Sequence, residues 1–175
     1  MKYIINIRFY TMAAFMALLV IFSSSCKEDD PILPDYAGTW VALVNIPTEA
    51  GIMSLKETIT LTETGYSDLA QMQVDKWTDL ASMKGSMMVS GNFLNITLTQ
   101  VGMSSMNMLT GFPDGVIITY EATDPGFNAL LTDLGQTKTF KFEYSISGNL
   151  MTLRTDKNED GDTLDENETM VYTKQ

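Results

Sequence analysis

The side chains able to do chemistry in this 175-residue sequence are carboxylates, hydroxyls, amides and lysines, because histidine is absent and Cys26 is the single cysteine. That removes Ser-His-Asp and Cys-His catalysis, histidine-ligated zinc and every disulfide. The densest set of candidate ligands is Asp156-Lys157-Asn158-Glu159-Asp160-Gly161-Asp162. Asp156, Asn158, Asp160 and Asp162 place oxygens at alternate positions, with Gly161 sixth, where a calcium loop needs a residue that lets the chain bend round the ion. The twelfth position, which wants a bidentate acid, is Asn167, so Glu168 or one of its acidic neighbours must complete the shell. Seven carboxylates and one lysine lie between Asp156 and Glu168, a density that favours either a bound cation or a fully solvated hairpin loop. Calcium is therefore the one cofactor the sequence offers, and none is required. Two carboxylates can hydrolyse glycosides without histidine, but they must flank a cleft, and the acids here concentrate in one loop. No catalytic residue is assigned, and the expectation is a protein that is not an enzyme.

Methionine supplies a second pattern. Ten fall in residues 26–175, six of them at Met83, Met87, Met88, Met103, Met106 and Met108. Flexible, polarizable thioethers suit a permissive apolar pocket, although ordinary core filling uses the same residues. The stretch Gly102 to Gly115, with Met103, Met106, Met108 and Phe112, reads as an apolar loop able to act as a lid or contact tip. With Trp77, which could stack on a ligand ring or pack in the core, these four form the expected ligand-binding set.

The first 25 residues have the order of a secretory signal: basic Lys2 and Arg8, an apolar run from Met12 to Phe22, then Ser23, Ser24 and Ser25. The run is shorter than the ~20 residues a membrane-spanning helix needs. Ser24-Ser25-Cys26 resembles the lipobox of bacterial lipoproteins, although Ser23 stands where leucine is usual. The resemblance implies lipidation of Cys26 and cleavage before it. Lys27-Glu28-Asp29-Asp30 is similar to the signal that carries lipoproteins to the cell surface in Bacteroidetes, which implies a lipid-anchored outer-membrane protein facing outward, with the periplasmic leaflet as the alternative. Residues 26–37, punctuated by Pro31 and Pro34, read as a tether. Beyond the signal, 9 Lys+Arg stand against 22 Asp+Glu, a charge of −13 that repels nucleic acid and anionic headgroups. Contact with the membrane is left to the lipid. Asp162-Thr163-Leu164 resembles the O-glycosylation tripeptide of the same bacterial group, which implies a glycan on Thr163.

Residues 38–175 are dominated by period-two alternation. Phe140, Phe142, Tyr144 and Ile146 share one face of a strand, as do Leu55, Glu57, Ile59 and Leu61, and Leu94, Ile96 and Leu98. Ser90-Gly91-Asn92 and Ser147-Gly148-Asn149 suit tight antiparallel hairpins. Strands are expected near 38–46, 54–63, 66–75, 84–90, 93–101, 116–122, 137–146, 150–155 and 168–174, with one short helix from Phe127 to Leu134 after the Asp124-Pro125-Gly126 turn. The fold class is all-β: an antiparallel up-and-down barrel of about eight strands, or alternatively a two-sheet sandwich. Gly38-Thr39-Trp40 looks like the Gly-x-Trp of lipocalins, and the hairpin from Tyr144 to Leu153 with the Met170 to Lys174 strand is similar to lipocalin-like lipoproteins of Bacteroidetes. The resemblance implies that Trp40 plugs the closed end of a barrel beneath Arg154, the one arginine beyond the signal, or Lys174. It also implies a small hydrophobic or amphipathic ligand at the open end. The alternative is an accessory surface protein with a filled core, whose loops meet a protein or glycan.

Overall fold

A computed structural model describes residues 33–48, 51–156 and 168–175. Pro34–Gln175 forms one compact unit. Among the described residues it contains nine strands: β1 (Gly38–Thr48), β2 (Gly51–Leu61), β3 (Gly65–Gln73), β4 (Trp77–Ser90), β5 (Phe93–Met106), β6 (Pro113–Glu121), β7 (Thr139–Ser147), β8 (Leu150–Arg154) and β9 (Thr169–Lys174). One helix is found among the described residues, α1 (Pro125–Asp133), which joins β6 to β7.

Every pairing is antiparallel. Neighbours run β4-β3-β2-β1-β9-β8-β7-β5-β6, and a further β4–β5 ladder closes the sheet into a barrel of eight strands, with β6 as an extra strand. The barrel of the two sequence alternatives is therefore the fold. Closure pairs both sides of every barrel strand and removes the exposed edges that a sandwich would leave. β5 is long enough to serve two partners on one side. Phe93–Thr97 pairs with β7 to complete the wall, whereas Gln100–Met106 pairs with β6, which leaves the wall as a hairpin.

The alternation seen in the sequence explains which side chains fill the interior. Ile59 and Leu61 from β2, Leu94, Ile96 and Leu98 from β5, and Met151 and Leu153 from β8 are all buried. The Ser90↔Phe93 and Ser147↔Leu150 pairs leave two-residue turns, in which Gly91 and Gly148 hold φ of 61° and 62°. Such left-handed geometry matches the twist of a hairpin and is cheap only for glycine or asparagine. In α1, Pro125 begins the first turn, where its missing N–H costs nothing, and Phe127, Leu130 and Leu131 are buried against the core. The helix closes the region where β5 changes partner from β7 to β6.

Trp40 anchors the first strand in the core. Trp40 is fully buried, its Nε1–H donates to the Tyr36 carbonyl oxygen at 2.8 Å, and the Lys174 Nζ lies 5.0 Å from its ring centroid. The cation over Trp40 is thus Lys174, while Arg154 sits in register with Glu143 and Thr169. Lys174 also donates to the Asp35 carbonyl oxygen at 3.2 Å, tying the last strand to the chain entering the first. Gly38 makes room for this arrangement, because a Cβ there would lie 2.9 Å from Lys174 Cε.

The stretch from Gly102 to Gly115, expected as a loop, is mostly strand. β5 continues to Met106 and β6 starts at Pro113, leaving a short tip between them. The alternation fails there because polar Ser104 takes a buried place. Its hydroxyl donates to Asp114 Oδ1 at 3.2 Å and accepts from the Gly115 N–H at 3.0 Å.

Candidate functional site: an acidic cavity inside the barrel

The barrel interior is not completely filled. A cavity of about 460 Å³ lies beside the α1–β7 connection. Its apolar wall is Met83, Phe140, Phe142, Leu153 and Met170. Phe140 and Phe142 meet edge to face with centroids 5.2 Å apart, and Tyr66 meets Phe140 at 5.8 Å. Such contacts fix the rings and give the wall a defined shape. Gly135, Gln136 and Thr137 border the cavity on the side of the α1–β7 connection, and Thr155, Asp156, Glu168 and Thr169 border it where β8 ends and β9 begins.

The polar wall is built by strand register. Glu57 follows the inward face of Ile59 and Leu61, and on β3 Tyr66 and Asp68 follow the same rule. Because Glu57 pairs with Ala70, Asp68 is its diagonal neighbour on that face, within side-chain reach. Tyr172 arrives from β9 and donates its hydroxyl hydrogen to the Glu57 carboxylate. The Tyr66 hydroxyl donates to Asp68 Oδ2 at 3.5 Å, and the Glu57 carboxylate stands close enough to Asp68 to act on its charge. Asp68 is only 6% exposed, and its Oδ1 has no hydrogen-bond partner among the described residues.

This crowding shifts proton affinities in one direction. Burial, followed by the negative charge of Glu57, raises the Asp68 pKa well above the usual carboxylate range. Burial also pushes both tyrosines up, Tyr66 further through Asp68 and Glu57, and Tyr172 through Glu57 and Asp68. Both phenols consequently stay neutral and act as donors. Four carboxylates line the cavity, at positions 57, 68, 156 and 168, and among the described residues no lysine or arginine does.

The residues expected from sequence fall in different places. Asp156 and Glu168, the ends of the acidic loop, both line the cavity, and the Thr155 N–H donates to the Glu168 carbonyl oxygen at 3.0 Å. Asn158, Asp160, Asp162 and Thr163 lie outside the described residues, as does Cys26. Among the described residues no three carboxylates are grouped to hold a metal ion. Trp77 opens β4 with Lys56 Nζ 4.9 Å from its ring, and Met103 packs against the core. Met106, Met108 and Phe112 are exposed at the β5–β6 tip, with Met108 fully so. None of these five lines the barrel cavity, although Phe112 lines a shallower depression of about 280 Å³ beside Val74 and Thr78. Met83 is the one member of the methionine cluster at the cavity wall.

The acidic wall itself was missed in the sequence. Its signal was present: Glu57 stands among Leu55, Ile59 and Leu61, and a carboxylate on an apolar face has to be accommodated by something inside. No protein-family model matches the chain, and comparison with the curated proteins finds no significant match.

Proposed function

We propose that the protein is a lipocalin-like binding protein, lipid-anchored through Cys26 at the outer membrane and facing outward, which holds a small amphipathic ligand in the barrel. The observation that carries this reading is the cavity of about 460 Å³, within the size range of small-molecule sites, with an apolar wall opposite a small set of convergent polar groups. Hydrolysis fits less well. Glu57 and Asp68 are diagonal neighbours on one wall, whereas a glycosidase pair flanks the scissile bond at least ~5 Å apart to admit the sugar.

Every core residue and strand pairing among the described residues lies in Pro34–Gln175, so residues 31–175 carry what the barrel needs to fold. Native mass spectrometry of that soluble segment, with thermal melts against a library of lipid-like and aromatic small molecules, tests the proposal. A retained ligand or a saturable rise in melting temperature supports it. A ligand-free protein whose melting temperature no library member moves sinks it.

A second reading has its own support. Met108 and Leu109 project from the β5–β6 tip almost fully exposed, and Ser105 donates to Asp114 Oδ2 at 2.6 Å, fixing the strands beneath them. Apolar side chains held out on a braced hairpin suit contact with a protein partner. If that is the tip's role, Met108→Ser with Leu109→Ser abolishes partner capture and leaves small-molecule binding unchanged.

A further inference from the structure

The cavity's charge is one-sided, and that selects among amphipathic ligands. Titratable groups face Asp68 from each surrounding element: Glu57 on β2, Tyr66 on β3 and Tyr172 on β9, with Asp156 and Glu168 at the margin. Among the described residues no cationic side chain lines the cavity. A fatty acid or other anion placed there would meet only carboxylates and neutral phenols, with no cation to offset its desolvation. A neutral alcohol could donate one hydrogen bond to Asp68 but would bring no charge to offset the acidic wall.

Asp68 marks where a ligand donor belongs. It is more than nine-tenths buried, it lines the cavity, and Oδ1 lacks a hydrogen-bond partner among the described residues while Oδ2 accepts from Tyr66. Leaving a buried acceptor unsatisfied carries a full desolvation cost, which a donor supplied by the ligand would remove. A protonated amine brings up to three N–H donors and the charge that the acidic wall lacks. On the opposite side, Met83, Phe140, Phe142 and Met170 offer aromatic and thioether surface to an apolar body.

We infer that the barrel cavity binds an organic amine cation, its ammonium group donating to Asp68 Oδ1 beside Glu57 and its apolar body lying against Phe140, Phe142 and the two methionines. The inference rests on the binding reading above and names the ligand class.

Two series of near-isosteric probes test it by calorimetric titration into residues 31–175: tryptamine, tryptophol and indole-3-propionate, then octylamine, octanol and octanoate. The amine should bind tightest in at least one series, by roughly tenfold or more over its alcohol, with the carboxylate weakest, as a charge-assisted hydrogen bond predicts. Asp68→Asn should erase the preference of amine over alcohol without abolishing binding of the alcohol. Glu57→Gln should reduce the preference, and melting curves of both variants establish that they fold. In the wild type the amine's affinity should rise with pH as Asp68 loses its proton, and Asp68→Asn should flatten that rise.

If alcohols or carboxylates bind as tightly as the amines in both series, the amine assignment fails while the binding reading stands. Should none of the six bind, the amine assignment fails, and the binding reading falls with it only if the melting library also moves nothing. If calcium chloride raises the melting temperature and the amines do not, the carboxylates serve a metal ion and the amine assignment is overturned.

Discussion

Replacing Asp68 with asparagine should make the ligand-free barrel more stable at neutral pH. The wild type buries a carboxyl group beside Glu57, its Oδ1 without a hydrogen-bond partner among the described residues and its proton affinity raised by burial and the neighbouring charge. The sign of the linkage follows. Because the folded pKa lies above the unfolded one, the native state holds more protons than the unfolded chain between the two values. Asp68's contribution is thus fully present below the ordinary carboxylate pKa of about 4 and is lost as pH rises through the raised folded value. Asparagine is nearly isosteric, carries no proton to lose and can donate its amide hydrogen to Glu57 while still accepting from Tyr66. An unsatisfied buried polar group costs about 1–3 kcal/mol, so removing part of that conflict should gain about 1–2 kcal/mol. For a domain of this size that corresponds to a rise of about 3–7 °C in melting temperature. The assay is thermal unfolding of residues 31–175 across pH, read as the difference between variant and wild type, which cancels the surface carboxylates. The variant's advantage should be small in acid and grow toward neutral pH. A less stable variant at neutral pH, or a difference that does not change with pH, would refute the reasoning.

Three other outcomes are expected. Trp40→Ala should lower stability by about 3–5 kcal/mol by denaturant unfolding, since it empties a fully buried aromatic site, whereas Lys174→Met should lose only about 1 kcal/mol of cation–π attraction while keeping its packing. Cys26→Ser should move the full-length protein from the membrane fraction to the soluble fraction of cells that process lipoproteins, and retention in the membrane would remove the anchor from the account. If the acidic loop holds calcium through Asp156 and its neighbours, the melting temperature should be higher in calcium than in chelator, and Asp156→Ala with Asp160→Ala should remove the difference; equal temperatures throughout leave the loop a solvated turn.

The wall of the barrel was largely legible in sequence because a half-buried strand needs alternation and a hairpin needs its turn residues. Phe140, Phe142, Tyr144 and Ile146 sit as expected in β7, and the Gly91 and Gly148 turns join the strands they were expected to join. α1 falls within two residues of its expected start. Where alternation weakens, the reading failed. The first half of β4, from Trp77 to Met83, has side chains of intermediate exposure on both faces, so it showed no period. Gly102 and Ser104 look like loop residues but occupy β5, because a Cβ at Gly102 would lie 2.6 Å from Ile117 Cγ2 and because Asp114 and Gly115 satisfy Ser104.

The cavity was much less legible. Apolar content drew attention to Met106, Met108 and Phe112, which closure of the barrel leaves outside. The residues that face the cavity are distant in sequence and meet only through register, with Glu57 diagonal to Asp68 across β2 and β3, and Tyr172 delivered by the last strand. No local pattern states that meeting. What the sequence did carry was each acid's place on an inward face, which becomes informative once the barrel is known to close.

Methionine methyl NMR tests the central claim most directly, because the methionines are distributed between the cavity and the surface. Met83 and Met170 line the cavity, whereas Met88, Met106 and Met108 are exposed. On titrating tryptamine into methyl-labelled residues 31–175, the account predicts saturable shifts at Met83 and Met170 and none at Met106 or Met108. Shifts confined to Met106 and Met108, with Met83 and Met170 unmoved, would contradict it and place the working surface on the β5–β6 tip.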